Sequence, residues 1–274
     1  MQTNPQLSTA KLTKIYTAYY PKRDSDIEAV KKYANNIPSI KEIYKNGWET
    51  TCHFQTKKGQ RVLDVGCGTC QSLLEIRNLG GKAYGIDVDR NSENVAKKLK
   101  LKFQLGTIHN TKFNDNFFDL ITASQVLEHE PEPIKFLLKG KKLLKTGGKI
   151  ILSFPNTDAL FLKIWGRNWL HWHIPYHLNH FNKKSVLLMA QKTGFKVKSL
   201  KTVTPNLWTI LQLRSYLNNI KVGQRDKMWD GGSSAGNDKP VSRFLPLIQK
   251  FLSINRIIDK LGMGESFVLT LTNK

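Results

Sequence analysis

Residues 61–70 read RVLDVGCGTC, a short apolar run that breaks into a glycine-rich turn. The apolar residues are typical of a parallel strand that is buried on both faces. Gly66 and Gly68 let the backbone approach a ligand closely, and a helix-like stretch follows over residues 71–79. This order predicts a strand, a tight turn and a helix N-terminus, whose N–H groups favour negatively charged or oxygen-rich ligands.

An acidic residue follows the next apolar run at the spacing of a nucleotide-binding unit. The second predicted strand covers residues 83–86 and ends at Asp87, which lies 19 residues after Gly68. In strand–helix–strand units that bind nucleotides, an acid about 20 residues beyond the glycine turn accepts hydrogen bonds from ribose hydroxyls. The spacing therefore predicts that the turn and Asp87 hold the same nucleoside.

Composition limits the classes of protein to which the chain can belong. Its 274 residues and 40% hydrophobic content suit one α/β domain with additions. No apolar run reaches the ~18 residues of a transmembrane helix, and the first residues carry no apolar signal core. The three cysteines form no disulfide framework, so we expect a cytoplasmic protein.

The net charge of +22, from 43 basic and 21 acidic residues, attracts anionic partners such as nucleic acid or anionic lipid. The lysines are dispersed, however, and a solvated basic surface explains them equally well.

A helix predicted over residues 244–261 carries an apolar face beside basic residues. It is expected either to pack on the core or to attach the protein to the anionic inner face of the membrane.

In their order along the chain, the motifs resemble those of class I S-adenosylmethionine (SAM)-dependent methyltransferases with a type 11/23-like domain. VLDVGCGTC is similar to the first motif of this family, and GIDVD to its ribose-binding acidic motif. FFDLITASQVLEH resembles the fourth strand with the active-site loop, and LLKTGGKIILSFPN the helix, turn and fifth strand that follow. The fifth strand is predicted over residues 149–154, and the helix that follows Asp87 over residues 92–100. The resemblance covers residues 59–200. It implies a Rossmann-like, seven-stranded, mostly parallel sheet with helices on both faces, and SAM as the cofactor.

The resemblance also divides the chain into three parts. Residues 59–204 and 266–274 are expected to form the SAM-binding core, and residues 1–58 an N-terminal helical lid. The last two strands of the family form a close antiparallel pair, so residues 205–265 are expected to be a helical cap inserted between them.

Residues that follow the core strands are the expected contacts of the cofactor. By resemblance, Asp64 would orient the amino group of the cofactor and Asp87 its ribose. Many relatives carry an acid for the adenine where this chain has Thr107, and a third glycine where it has Cys70. The expected cofactor-binding residues are Asp64, Gly66, Cys67, Gly68, Asp87, Val88, Thr107, Ile108, Ser124 and Gln125.

The segment WGRNWLHWHIPYHLNHF, residues 165–181, holds three tryptophans and four histidines and suits the wall of an acceptor pocket. An oxygen acceptor must lose its proton before or during attack on a methyl group. His129, after the fourth strand, is the first candidate for that base and His177 the second, each with a structural role as the alternative. The expected substrate-binding residues are Tyr20, Trp169, His173 and His177.

No metal is expected in this site. Some relatives that act on phenols place acids and a histidine after the fourth strand for a metal, but Gln125 stands at one of the acidic positions. The histidines of residues 165–181 match no standard zinc spacing, and no cysteine joins them.

These observations predict methyl transfer from SAM to a hydroxyl or amine of a small-molecule, lipid or glycan acceptor. One alternative is an RNA-directed methyltransferase, supported by the charge. Nucleic acid is the less expected partner because the Asn/Asp-Pro-Pro-aromatic loop of base-amine methyltransferases is replaced by Ser124-Gln125-Val126-Leu127. The other alternative is a non-catalytic SAM-binding protein, suggested by Thr107 and Cys70.

Overall fold

The computed structural model of the chain describes residues 26–217 and 251–273, so Tyr20 and the middle of the expected cap lie outside the described residues. The strands of the described residues are β1 (Arg61–Val65), β2 (Lys82–Asp87), β3 (Lys102–Leu105), β4 (Phe118–Ser124), β5 (Leu144–Pro155), β6 (Lys196–Val203) and β7 (Ser266–Thr272). The α-helices are α1 (Ile27–Ala34), α2 (Ile40–Asn46), α3 (Gln71–Asn78), α4 (Arg90–Lys98), α5 (Pro133–Leu143), α6 (Leu160–Trp165), α7 (Lys183–Lys192), α8 (Asn206–Leu217) and α9 (Ile254–Lys260).

The strands form one seven-stranded sheet in the order β3–β2–β1–β4–β5–β7–β6. Strands β1 to β5 pair in parallel, whereas β7 runs antiparallel to both β5 and β6. The expected Rossmann-like fold with a mostly parallel sheet is therefore confirmed. The order reverses between β1 and β4, and open α/β sheets bind ligands beyond the carboxyl ends of the strands at such a point.

The central strands are buried on both faces because helices cover the sheet from two sides. Leu63 of β1 and Ile121 of β4 lie in one hydrophobic cluster, and Val62 and Leu120 lie in the other. All four side chains are buried. This two-sided burial explains why these strands read as continuous apolar runs in the sequence.

Capping side chains fix several helix boundaries. Ser39 and Glu42 form a capping box at the start of α2, and Asn182 and Ser185 form one at the start of α7. Helix α4 begins two residues before the predicted start at residue 92, because the side chain of Asp89 accepts a hydrogen bond from the N–H of Asn91.

Two predicted elements were wrong in their extent. The fifth strand, predicted over residues 149–154, begins at Leu144, because Leu144 pairs with Phe118 of β4. Gly147 and Gly148 also form backbone hydrogen bonds with Asn273 at the end of β7. The helix predicted over residues 244–261 is described only from residue 251, and a turn at residues 252–253 interrupts it before α9.

The described part of the expected N-terminal lid packs on the core through α1. The side-chain amide of Asn78 in α3 donates to the carbonyl of Ala34 at 2.9 Å. A lid function for this region stays a prediction. Every helix within residues 26–217 and 251–273 falls short of the length and apolarity needed to span a bilayer.

Gly85 gives a stability test of the packing between β2 and α3. A Cβ atom at Gly85 would lie 2.7 Å from Leu73 Cδ1 and 2.8 Å from Cys67 Sγ. Gly85→Ala is therefore expected to lower the free energy of unfolding by about 1–3 kcal/mol, measured by urea denaturation.

Gly140→Ala is the matched control for this change. The nearest atom to its Cβ would be the flexible end of Ile150 at 3.2 Å, with Ile108 and Ile121 at ordinary contact distances of 3.8 and 3.9 Å. Alanine also favours a helix interior by about 1 kcal/mol over glycine. We expect this variant to retain or gain stability. Equal stability of Gly85→Ala and the wild-type protein would contradict the tight contact.

Candidate active site

The glycine turn after β1 is tied to β2 and open on its other side. The N–H groups of Gly66 and Cys67 both donate to the carbonyl of Ile86. Gly66 has a φ of 75°, and a Cβ there would lie 2.5 Å from Val126 Cγ2. Gly68 has a φ of 53°, and its Cβ would meet nothing within 4 Å. The turn therefore offers open space beside Gly68 at the carboxyl end of β1.

The carboxylate of Asp87 lies directly beside this turn. Its Oδ2 accepts from the N–H of Gly68 at 2.7 Å, and its Oδ1 accepts from the N–H of Asp89 at 2.9 Å. Burial raises the pKa of Asp87, and the two backbone donors act against that shift. A carboxylate has about four lone-pair sites, so each oxygen keeps room for one more donor.

Asp64 is buried inside β1 below the turn. Its Oδ1 accepts from the hydroxyl of Thr122 at 2.6 Å, and burial raises the pKa of this carboxyl. A buried pair that no sequence pattern indicated lies beside it: His53 Nε2 and Glu75 Oε2 are 2.5 Å apart. The two residues lie on separate elements, 22 residues apart, and no motif links them, so only the fold brings them together.

The other expected cofactor contacts follow β2, β3 and β4. Val88 is 66% exposed after β2. After β3, the N–H of Thr107 donates to Asn110 Oδ1 at 2.9 Å and Ile108 is buried. At the end of β4, the hydroxyl of Ser124 accepts from the N–H of Cys52 at 3.0 Å.

A cavity of about 80 Å³ lies beyond the carboxyl end of β4. Its walls come from the loop after β4, from residues 165–181 and from α8. The lining residues are Gln125, Glu128, His129, Leu170, His171, His173, His177 and Trp208. His129, His173 and His177 of the predicted site thus meet at one cavity.

Trp169, which was expected to bind substrate, does not line this cavity. It is 2% exposed, and its indole N–H donates to Glu265 Oε1 at 3.1 Å. Trp208 lines the cavity instead, with its ring centroid 5.0 Å from that of His171. The sequence pattern placed Trp208 in a cap helix, but gave no signal for this contact.

Residues 165–181 are held in place from two sides. The carbonyl of Glu128 accepts from the N–H groups of Leu178 at 2.8 Å and Asn179 at 3.0 Å. On the other side, Gln212 of α8 accepts from the N–H of Leu170 at 2.6 Å and donates to the carbonyl of Asn168. These bonds fix the histidines against the loop after β4.

Glu128, His129 and His177 form a compact group at the cavity wall, with one polar atom of each lying within 4.8 Å of the others. His129 Nδ1 is 3.0 Å from the carbonyl of Tyr176, and His177 Nδ1 is 2.8 Å from the carbonyl of His171. Because a carbonyl only accepts, each Nδ1 carries the hydrogen. In the neutral ring, Nε2 is then the acceptor atom.

Burial dominates the electrostatics of this group. It raises the pKa of Glu128 to about 8, and it lowers the pKa of His129 to about 4 and that of His173 to about 4. It also lowers the pKa of His177 strongly. Glu128 is fully buried, and neither of its carboxyl oxygens has a hydrogen-bond partner.

Known proteins share this fold and these motifs. Residues 42–200 match the family model described as a methyltransferase domain. An uncharacterized protein of Methanocaldococcus jannaschii is 28% identical over 162 residues, which cover 59% of this chain and 76% of that protein. The ubiquinone biosynthesis O-methyltransferase of Haemophilus ducreyi is 30% identical over 170 residues, which cover 54% of this chain and 72% of that enzyme.

The fold also matches solved structures. One is the putative methyltransferase in complex with the Trm112 methyltransferase activator of Haloferax volcanii, with a TM-score of 0.56 at 12% identity. The alignment covers 91% of this chain and 95% of that one. The match to the family model spans more than half of the chain, and it shows that the chain is a methyltransferase. The chain therefore belongs to the methyltransferase domain family, as a class I SAM-dependent methyltransferase whose cofactor is S-adenosylmethionine.

Proposed function

We propose that this methyltransferase acts on a hydroxyl oxygen of a small-molecule, lipid or glycan acceptor, whose reacting end enters the cavity beside His129. The observation that carries the proposal is the group of Glu128, His129 and His177 at the cavity wall. A cavity of about 80 Å³ holds only a few heavy atoms. It suits the reacting end of an acceptor, with the remainder outside.

The cofactor would lie across the carboxyl ends of β1 and β2. The open side of Gly68 gives its nucleoside room, and the spare lone pairs of Asp87 suit the two ribose hydroxyls. When bound, SAM supplies an electrophilic methyl group on its sulfonium. The contribution of the protein is then to align the acceptor with that methyl group.

A hydroxyl acceptor needs a general base that accepts its proton, and His129 suits this role. Its Nδ1–H is held by the carbonyl of Tyr176, so its Nε2 can accept the hydroxyl proton. The acceptor oxygen forms a bond to the methyl carbon while the carbon–sulfur bond breaks. The electron pair of that bond stays on sulfur, and the proton moves to His129.

The relatives support oxygen as the accepting atom. Several of them are named ubiquinone biosynthesis O-methyltransferases, including the enzyme of Haemophilus ducreyi. The aromatic wall formed by Trp208, His171 and His173 suits a planar or apolar acceptor end.

Asp87→Asn tests the cofactor site. The amide loses one acceptor for the ribose hydroxyls together with the negative charge. We expect a loss of about 1.5–3 kcal/mol in SAM binding, or roughly ten- to a hundredfold in affinity, measured by calorimetry. Asp115→Asn is the matched control, because Asp115 is exposed before β4 at the opposite end of that strand. Unchanged affinity in Asp87→Asn would remove the proposed ribose contact.

His129→Gln tests the acceptor site. We expect kcat to fall by about 10²–10⁴-fold, the usual contribution of a general base, with SAM affinity retained. The acceptor is identified first by incubating the protein with labelled SAM and fractionated lipid, glycan, small-metabolite and RNA pools.

Label is expected in a lipid, glycan or small-metabolite fraction. Label in RNA would instead favour the nucleic-acid alternative, which the net charge of +22 supports. No label in any fraction, with SAM binding intact, would favour a non-catalytic role.

A further inference from the structure

A buried histidine lies next to two carboxyls below the glycine turn, and the chemistry at the acceptor cavity uses none of the three. His53 Nε2 is 2.5 Å from Glu75 Oε2 in α3, and the charge of His53 acts on the carboxyl of Asp64 in β1. The exposed fractions of Asp64, Glu75 and His53 are 4%, 5% and 6%. Burying three ionisable groups together is costly unless their charges are matched, and such groups cluster at functional sites.

His53 is fixed beside the turn by the segment that precedes β1. The N–H of Cys52 donates to the hydroxyl of Ser124, at the end of β4, at 3.0 Å. The side chain of Cys52 lies in the same hydrophobic cluster as Cys67 and Cys70 of the turn. His53, the next residue along the chain, is therefore held near the proposed place of the cofactor.

Asp64 is the acid of this group that is expected to orient the amino group of the cofactor. The hydroxyl of Thr122 donates to its Oδ1 at 2.6 Å, and a carboxylate accepts about four hydrogen bonds, so its Oδ2 keeps room for the donors of a ligand. Burial raises the pKa of Asp64, and the positive charge of His53 is the strongest influence that lowers it. His53 therefore favours the ionised carboxylate, which is the form that attracts a cation.

The other titratable groups that act on Asp64 are Glu75 and two thiols. Burial raises the pKa of Cys52 to about 12, and the hydrogen bond with Cys70 raises the pKa of Cys67, so both thiols stay neutral. Two carboxylates and one imidazolium then leave one negative charge in excess. A buried charge without a counter-charge is costly, so the group is complementary to one cation.

We propose that His53 and Glu75 form a positioning pair that holds Asp64 as the carboxylate binding the ammonium group of S-adenosylmethionine. Glu75 Oε2 fixes the ring of His53, and Glu75 Oε1 is itself held by the side-chain amide of Gln71 at 2.9 Å. The charge of His53 keeps Asp64 ionised, and a hydrogen bond between two charged groups is about twice as strong as a neutral one. The inference rests on the proposed place of the cofactor at the carboxyl ends of β1 and β2, and it does not depend on the acceptor.

The test compares S-adenosylhomocysteine with its analogue that lacks the amino group, by calorimetry from about pH 5 to 8. At the upper end we expect the wild-type protein to bind S-adenosylhomocysteine at least about tenfold more tightly, because only this ligand carries the ammonium group. This preference is expected to decrease as the pH falls through the pKa of Asp64, because a protonated carboxyl no longer attracts the ammonium group. Equal affinity for the two ligands at every pH would overturn the proposal.

His53→Gln separates the charge of the histidine from its packing. The glutamine amide retains a donor near the Nε2 position for Glu75 but carries no charge. Removing the cation raises the pKa of Asp64, so the pH at which half of the preference is lost is expected to rise by at least about one unit. His53→Asn, a second neutral variant with a donor near the Nδ1 position, is expected to show the same upward shift and decides if His53→Gln does not fold.

Gln71→Ala is the matched control for these variants. It removes a neutral hydrogen bond to Glu75 within the same group and leaves all three charges in place. We expect this variant to lose its preference at the same pH as the wild-type protein. The proposal is overturned by an unchanged pH in the neutral variants of His53, and also by an equal shift in Gln71→Ala, since packing rather than charge would then be the cause.

Asp87→Asn separates this inference from the proposed ribose contact. Both ligands carry the same ribose, so this variant is expected to weaken both to the same extent. Weaker binding of both ligands by Asp87→Asn, with no ammonium preference in the wild-type protein, would overturn the role of His53 and Glu75 and leave the ribose contact. Unchanged binding in Asp87→Asn, with the upward shift in His53→Gln, would support the positioning pair and remove the ribose contact.

Discussion

Parallel pairing of β1 with both β2 and β4 is the constraint on which the remaining structure depends. It brings the carboxyl ends of three strands to one edge, where each apolar run ends in a turn with polar groups. The glycine turn and Asp87 follow β1 and β2, and the group of Glu128 and His129 follows β4. A single sheet edge therefore carries the proposed nucleoside site next to the proposed acceptor site.

A second constraint completes the acceptor side. The carbonyl of Glu128 accepts two N–H groups, from Leu178 and Asn179, so residues 165–181 lie directly on the loop after β4. This main-chain contact sets the position of His177 without using any of the side chains in the cavity. The carboxyl of Glu128 therefore takes no part in holding residues 165–181.

The sequence predicted the parts of the site that depend on local spacing, and it missed those that depend on distant contacts. Nineteen residues separate Gly68 from Asp87, and this spacing follows from one strand–helix–strand unit. Helix α4 was misplaced by two residues because Asp89 was not recognised as its cap. The partnership of Glu128 with His177 spans unrelated segments, and the place of Trp208 at the cavity depends on how α8 packs. Neither leaves a periodic pattern in the sequence.

Two buried carboxyls near the cavity show why unsatisfied polar atoms are informative. Glu265 lies 3.9 Å from His171 Nε2, and one of its oxygens accepts from the indole of Trp169. Glu128 has a histidine at a similar distance, but neither of its oxygens has a hydrogen-bond partner. Glu265 keeps only Oε2 without a hydrogen-bond partner, whereas both oxygens of Glu128 lack one. The wall of the cavity therefore holds the less satisfied of the two buried carboxyls.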